Sequence, residues 1–412
     1  MKKILLMFAA VGMLFTACNN EPEHIYDDHS ADLVGTWSCL TENYAEVLII
    51  NADGTAVSYG VENGEYWENV RGTVVTEGGN ITMTFEDNDN LTGHFDIIPG
   101  KSFSLFEDSG ERYVYQYCEN DLADEIVGMW VCNETPSAEE NDMLIMTYNA
   151  DGTTLFTGYS YEADVFSNNV EASYKVIGDL LIHKQPDIAV EYGLAQYNAM
   201  RIKYIPNGTA LGDVKTLQAY AKVGENYVET NTTWLRIKQN LDLANKSYDY
   251  NNIYVTNVKG ADKAFEIMGY TLNFSTMDGS KLDKMLKSTL FNVEFPDANT
   301  IRYSYQHGEQ NNVVDVPIVV EGNKLTVKMS TKGSALKDVV YYAFQDVDAC
   351  QLHLYMHRNT VVDFYTNMQA LLDTWTKNED VINNAAAVNA IYKSFDEAIE
   401  SINLSIVLKA AK

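Results

Sequence analysis

The sequence predicts a mainly β protein: tandem small antiparallel β-barrels followed by a mixed β/α C-terminal domain with a helical tail. Three observations predict it. Short β-branched or aromatic runs, among them "AEVLIINA", "RGTVVTEG", "NITMTFED" and "ERYVYQYC", are separated by turn residues at short intervals. Landmarks recur in a fixed order at nearly constant spacing. Within the runs, sides alternate: in "NITMTFE", Ile81, Met83 and Phe85 share one face while Thr82 and Thr84 share the other. Such alternation gives a sheet with one buried and one wet face, as in antiparallel meanders.

The chain opens with a segment outside that fold. Lys2 and Lys3, the apolar run from Ile4 to Phe15, and the small residues Thr16 and Ala17 form a basic n-region, an h-region and a cleavage site over residues 1–17. An h-region of about a dozen residues is too short to cross ~30 Å of hydrocarbon as a stable helix. Its end resembles a bacterial lipoprotein signal, with Phe15 standing where an aliphatic residue is usual. The resemblance implies lipid attachment at Cys18, which becomes the new N-terminus. Each buried methylene contributes ~0.8 kcal/mol, so a cysteine carrying more than one acyl chain anchors stably. Residues 18–32, "CNNEPEHIYDDHSAD", are too polar to bury a core and read as a tether. The acidic residues behind Cys18 also resemble the surface-export signal of Bacteroidetes lipoproteins. The expected localisation is extracytoplasmic, lipid-anchored at the outer membrane, with surface exposure implied by this second resemblance.

Composition narrows the partners. A net charge of −29 repels phosphate backbones, so nucleic acid is excluded as a partner. Tyrosine is abundant, 27 against 15 Phe and 5 Trp; it suits strands, and it also suits stacking on carbohydrate. No second apolar run approaches a transmembrane span, and the mature length allows two or three domains.

The repeat is read from its landmarks. "LVGTWSCL" (Leu33 to Leu40) is matched by "IVGMWVCN" (Ile126 to Asn133), and "INADGTAV" (Ile50 to Val57) by "YNADGTTL" (Tyr148 to Leu155). Asp-Gly between β-type runs signals a hairpin, because glycine accepts the positive φ such turns need. A second turn glycine follows 25 residues after Gly54, at Gly79, and 26 after Gly152, at Gly178. A third, degenerate copy places "FPDANTIRYSY" and "VEGNKLTVKM" in the two hairpin positions, with Asn299 lying 23 residues before Gly322 and no Gly-x-Trp opening. The expected domains are barrel 1 over 33–120, barrel 2 over 121–240 and a divergent copy with helices over 241–412.

The first two copies resemble lipocalin-like domains of bacterial lipoproteins, on Gly35 and Trp37, then Gly128 and Trp130. In that family Gly-x-Trp marks the first strand, and the resemblance implies that each tryptophan plugs the closed end of an up-and-down barrel. The later Thr-Asp-Tyr motif of the classical family is absent, which argues against a hormone- or retinoid-type carrier. Closure of such a barrel brings the first strand beside the last. With Cys18 committed to lipid, four cysteines allow three pairings, and closure favours a Cys39–Cys118 disulfide in an oxidising compartment. Cys132 is the copy-two twin of Cys39.

In the C-terminal part, "GSKLDKMLKSTLF" places Leu282, Met285, Leu286 and Leu290 on one helical stripe with Ser280 as its cap. "QLHLYMHRN" reads as a strand, with Leu352, Leu354 and Met356 opposite His353, Tyr355 and His357. From Phe364 onward the chain reads as helix, since Val388, Ile391, Phe395, Ala398, Ile399 and Ile402 fall at three- and four-residue steps.

No nucleophile elbow, zinc helix, phosphate loop or paired metal cysteines can be found. His353 and His357 read as exposed histidines on a wet strand face, and "FEDNDN" (Phe85 to Asn90), without the glycine and distal glutamate of a calcium loop, as a polar hairpin. Hence no catalytic residue, metal or cofactor is assigned. The candidate ligand-binding group is the aromatic cluster Tyr59, Tyr66 and Trp67 near the first hairpin, with core packing as its alternative. The expected function is a non-enzymatic, lipid-anchored binding or scaffold protein. Its partners would be the membrane, through the lipid, and a small apolar or carbohydrate ligand or a protein. Two alternatives stand beside it. One is an extracytoplasmic carboxylate-based hydrolase acting on glycans. The other is a structural surface module without a pocket, to which the short first copy, about 86 residues from Leu33 to Cys118, lends weight.

Overall fold

The computed structural model describes residues 30–411 apart from 42–43, 87–89, 133–143, 161–164, 186–195, 210–211, 224–225, 268–269, 278, 289–290, 308–309 and 331–332. Cys18 and the signal segment lie outside the described residues, as does the centre of "FEDNDN". The described chain is three closed antiparallel barrels with helices attached to the third.

Barrel 1 runs β1 (Gly35–Leu40), β2 (Tyr44–Ile50), β3 (Thr55–Glu62), β4 (Glu65–Glu77), β5 (Asn80–Phe85), β6 (Asn90–Ile98), β7 (Ser102–Glu107) and β8 (Arg112–Tyr117). Each strand pairs with its sequence neighbour, and β1 closes the sheet by pairing with β2 on one edge and β8 on the other. The side alternation read from the sequence holds: Ile81 and Met83 are buried, Thr82 and Thr84 exposed. Barrel 2 repeats the plan with β9 (Gly128–Cys132), β10 (Leu144–Tyr148), β11 (Thr153–Ser160), β12 (Val165–Ile177), β13 (Leu180–Lys184), β14 (Tyr197–Thr209), β15 (Gly212–Val223) and β16 (Asn226–Ile237). Here β16 pairs with β9 to close the ring. The two Asp-Gly turns are the same structure twice. Asp53 Oδ1 accepts from Thr55 N at 2.9 Å, and Asp151 Oδ1 from Thr153 N at 3.0 Å. Gly54 and Gly152 take φ of +80° and +84°, which L side chains rarely adopt.

The degenerate third copy also closes. Its strands are β17 (Lys246–Gly260), a small hairpin β18 (Ala264–Ile267) and β19 (Tyr270–Asn273), then, after helix α1 (Ser280–Ser288), β20 (Asn292–Asp297), β21 (Thr300–His307), β22 (Gln310–Glu321), β23 (Lys324–Val327), β24 (Val339–Gln345) and β25 (Gln351–Met356). Helices α2 (Arg358–Lys377) and α3 (Ala385–Asp396) follow, and β26 (Ile399–Ala410) ends the fold. Asn384 caps α3, its side chain accepting from the Ala386 and Ala387 amides. Val361, Val362 and Tyr365 of α2, Phe395 of α3, Phe274 and Leu282 join the apolar core of barrel 3.

One part of the expected helical tail is corrected. The helices are present, but residues 399–410 are strand. Ile399 and Ile402 fell in helical step with Phe395 because the chain turns from α3 into β26 at those residues. Beyond them, Ile402, Leu404, Ile406 and Leu408 alternate at period two into the core. Pairing along β17 from Tyr248↔Ala410 to Gly260↔Ile399 fills the edge that would otherwise stay open.

Barrel 1 apart from residues 41–43 and 61–65 forms one compact unit, and those two segments group with barrels 2 and 3 in a second. Within that second unit the main chain continues from one barrel into the other. Lys238 N donates to Gln345 O at 2.9 Å and Val347 N to Arg236 O at 3.2 Å. Val131, Ile145, Leu235 and Ile237 of barrel 2 pack with Phe344, Cys350 and Tyr355 of barrel 3. This seam explains why the expectation of exposed histidines fails: His353 and His357 flank Tyr355 on the outer face of barrel 3, and both are buried. His353 Nε2 lies 3.1 Å from Gln351 Oε1, and His357 Nδ1 3.3 Å from Asn403 Oδ1.

The expected Cys39–Cys118 disulfide is also corrected. The strands meet as anticipated, but their register puts Cys39 opposite Tyr115, while Cys118 N bonds Thr36 O. Three residues of offset at ~3.3 Å each exceed the reach of a bridge, about 7 Å between Cα atoms.

Two predictions follow from these placements. Non-reducing peptide mapping of the mature protein should recover Cys39 and Cys118 in separate peptides; a linked pair would mean a shifted register. Burial also pushes His183, His353 and His357 down to about 4. Unfolded histidines take up protons near 6.5, so the unfolded chain binds more protons between those values. Stability should therefore fall as pH drops from about 6.5 toward 4. Asp346, whose carboxyl burial pushes up, works in the opposite sense. Urea midpoints at pH 7.5 and 5 measure the balance, and a higher midpoint at pH 5 would contradict the histidine burial.

Candidate functional site

The first strand of each barrel carries a fully buried aromatic residue. Trp37 and Trp130 are both fully buried. Each indole N–H donates at 2.7 Å to the carbonyl four residues earlier, Leu33 O and Ile126 O. The glycines two residues before them serve the same plug. Gly35 has φ +147°, and a Cβ there would lie 2.6 Å from the Tyr117 ring, which stands edge-on to Trp37. Gly128 has φ +140° and lies against Arg236, whose guanidinium covers the Trp130 ring and donates to Val127 O at 2.6 Å. The third barrel uses Tyr248 in that place. Its hydroxyl accepts from Gln345 Nε2 at 2.8 Å, and Gln345 also clamps Asp242 through both its N–H and carbonyl. Burial pushes the Tyr248 hydroxyl up to about 12. A Gly-x-Trp search misses this copy because tyrosine has replaced tryptophan.

Among the described residues, the interior of barrel 2 holds a polar pair, Tyr148 hydroxyl 3.1 Å from His183 Nε2, with both residues buried. Barrel 1 holds a larger one. Glu46, 5% exposed, points inward from β2 opposite Cys39. Ser58 donates to its Oε1 at 2.5 Å, Tyr44 to Oε2 at 2.7 Å, and Tyr115 to Oε2 as well. Trp67 Nε1 donates in turn to Ser58 Oγ at 2.8 Å. Burial, then the Glu46 charge, holds both tyrosine hydroxyls well above their ordinary range. Above the carboxylate, at the end of the barrel away from Trp37, the rings of Tyr44, Trp67 and Tyr113 meet: Tyr44 lies 5.7 Å from Trp67 and 5.3 Å from Tyr113. The indole lies on Gly60, where a Cβ would sit 2.2 Å from it.

The sequence-derived aromatic cluster is thus divided. Trp67 faces inward with Ser58, whereas strand alternation places Tyr59, between the buried Ser58 and Gly60, on the outer face of β3, and Tyr66, next to Trp67, on the outer face of β4. Glu46, Tyr44, Ser58 and Tyr115 were not singled out from the sequence. In "YAEVLII" both faces are apolar and buried, so side parity gave no reason to turn Glu46 inward. Only the register against Trp37 reveals it.

No family model matches this chain, and no curated protein does. Among the described residues no helix is long and apolar enough to cross a membrane, which leaves β-barrel spans unaddressed, and no group of three metal-ligating side chains gathers. What the strand pairings define is a protein of tandem closed β-barrels. Solved structures that it matches include transferrin binding protein B from Haemophilus parasuis, in a double mutant and a single mutant, each at 10% identity and a TM-score of 0.25. Another is isotype 1 transferrin binding protein B from serogroup B Neisseria meningitidis, at 10% identity and a TM-score of 0.21. Each match covers 90% of this chain and 66% of the other, just under two thirds of the length of those proteins. At such TM-scores no residue or partner is transferred.

Replacing the plug tests its role. Trp37→Ala and Trp130→Ala should each lower unfolding free energy by about 3–5 kcal/mol in urea titration, the usual cost of deleting a buried aromatic. A loss below about 1 kcal/mol would show that the barrel end does not depend on the indole.

Proposed function

We propose that this chain is a lipid-anchored, non-enzymatic binding or scaffold protein of the outer membrane, tethered through Cys18 and displayed at the cell surface. The observation that carries the scaffold side of this reading is that the barrels are filled by their own side chains. Trp37, Phe103, Leu105 and Tyr115 occupy barrel 1, Trp130, Tyr148 and Leu181 barrel 2, and Tyr248, Phe295 and Leu354 barrel 3. Filled barrels are stiff bodies that present their ends and outer walls, and they are poorly shaped to hold a large apolar ligand in a hollow interior. Residues 18–32 supply the tether, and residues 33–120, 121–240 and 241–412 the three bodies it carries. The acidic residues behind Cys18 support export to the surface, as in the Bacteroidetes signal they resemble, and the net charge of −29 keeps the molecule apart from nucleic acid.

Labelled palmitate fed to the producing cells should appear in the wild-type protein and be lost in Cys18→Ala, which should leave the membrane fraction. Protease added to intact cells should digest the anchored form. Unlabelled protein, or protein that survives protease until the cells are broken, would overturn anchoring or display respectively.

A further inference from the structure

We propose that barrel 2 holds, around Thr154 and His183, a site for one small neutral molecule that joins a hydroxyl group to a flat apolar body, a phenol-type alcohol. The inference deepens the binding side of the proposed function, on which it rests, and needs neither the lipid anchor nor surface display.

The repeat itself supplies the comparison, because strand registers match five interior positions among the three barrels. In barrel 1 these positions hold Ile50, Ala56, Val74, Met83 and Leu91, all packed in its apolar core. In barrel 3 they hold Phe295, Ile301, Ile318, Val327 and Val339, again all in the core. In barrel 2 they hold Tyr148, Thr154, Tyr174, His183 and Asn198. The pairing Gly128↔Tyr148 corresponds to Gly35↔Ile50 and Lys246↔Phe295. Likewise Tyr174↔His183↔Asn198 corresponds to Val74↔Met83↔Leu91 and to Ile318↔Val327↔Val339. Thr154, Ala56 and Ile301 each lie six residues after Tyr148, Ile50 and Phe295. Two barrels thus close with apolar side chains throughout. Closure does not need a polar set there, and burying one carries a desolvation cost that they avoid.

Most of this set is already engaged, and one member is not. The Tyr148 hydroxyl lies 3.1 Å from His183 Nε2 and 3.3 Å from Met146 Sδ, and Asn198 hydrogen-bonds the His183 ring as well. Thr154 faces the interior opposite Tyr148 and is 1% exposed, yet its Oγ1 has no hydrogen-bond partner among the described residues. A buried hydroxyl in that state carries a penalty that a bound hydroxyl removes. The walls beside it are rings: Phe156 stands edge-on to His183 at 5.4 Å, and Tyr174 edge-on to Tyr148 at 4.8 Å. Burial pushes His183 down to about 4, so its ring is neutral at pH 7. None of the five side chains is charged there, and an ion would be buried without a counter-charge. The same interior face reaches solvent, since Asn198 is exposed and Phe156 and Tyr174 are half-buried. Gly158, opposite Leu144, is the next inward position after Phe156. A Cβ there would meet none of the described residues within 4 Å, whereas at the matching Gly60 of barrel 1 it would sit 2.2 Å from the Trp67 ring. The space that barrel 1 fills with an indole is therefore free of described side chains in barrel 2.

The test titrates the full mature chain with phenol, using toluene as its apolar counterpart and benzoate as its anionic one. Calorimetry reads affinity, and the histidine ring protons read location. The expected result is saturable phenol binding, about tenfold tighter than that of either counterpart, the scale of one added hydrogen bond in a buried site. The ring protons of His183 should move while those of His353 and His357 stay. Thr154→Val, which keeps the side-chain shape and removes the hydroxyl, should weaken phenol about fivefold without weakening toluene. Gly158→Leu, which fills the approach, should weaken phenol and toluene alike. Absence of saturable phenol binding in the unmodified chain would overturn the proposal and leave the Thr154 hydroxyl to water. Toluene or benzoate binding as tightly as phenol, still ring protons at His183, or unchanged phenol affinity in Thr154→Val would overturn it too. None of these outcomes bears on palmitate labelling or protease access, so the site and the anchor fail separately.

Discussion

Every barrel in this protein depends on one strand that is hydrogen-bonded along both edges. β1 lies between β2 and β8, β9 between β10 and β16, and β17 between β20 and β26. A meander of eight strands has two exposed edges unless its ends meet, and exposed edges invite pairing with other chains. Closure removes both edges with one set of contacts. It also dictates what lies inside, because once the sheet is a cylinder the inward side chains of the first strand face all the others.

That constraint explains why the plug is an aromatic residue with a polar handle. The first strand's inward residue near its start is fully buried, and a large ring there fills space that aliphatic side chains would leave empty. Its N–H or O–H must still be satisfied, and the segment before the strand provides a carbonyl for Trp37 and Trp130. In barrel 3 the handle is a tyrosine hydroxyl and the partner is Gln345, which also holds Asp242 in the connection from barrel 2. The same residue thus seals one barrel and fastens the chain entering it, next to the seam where Lys238 and Val347 bond across. Barrels 2 and 3 are thereby joined through main chain as well as side chains.

Much of this was legible in the residues. Gly-x-Trp, the Asp-Gly turns and the alternation in "NITMTFE" each encode a local conformation, and each is found in place. The third barrel was legible only in outline, since its plug is chemically different and its closing strand begins directly after a helix. Long-range pairing decides such a segment, and local periodicity does not see it: Ile399 and Ile402 looked helical beside Phe395. Registers were the other hidden quantity. The approach of strand one to strand eight could be foreseen, but not the three-residue offset that keeps Cys39 from Cys118. Nor could Glu46 be recognised as an interior group while Ala45 and Val47 made both faces of its strand apolar. Outer faces buried at a seam defeat the in–out alternation in the same way, which is why His353 and His357 read as wet.

The most direct measurement of the account is a set of cross-strand proton contacts between first and last strands in solution. Closed barrels predict backbone contacts between Ser38 and Gln116, between Val131 and Leu235, and between Tyr254 and Ser405, together with slow amide exchange along both edges of β1, β9 and β17. Contacts confined to one edge, with amides on the other edge exchanging at the rate of open strands, would mean that the sheets do not close, and the reading of filled, sealed barrels would be wrong.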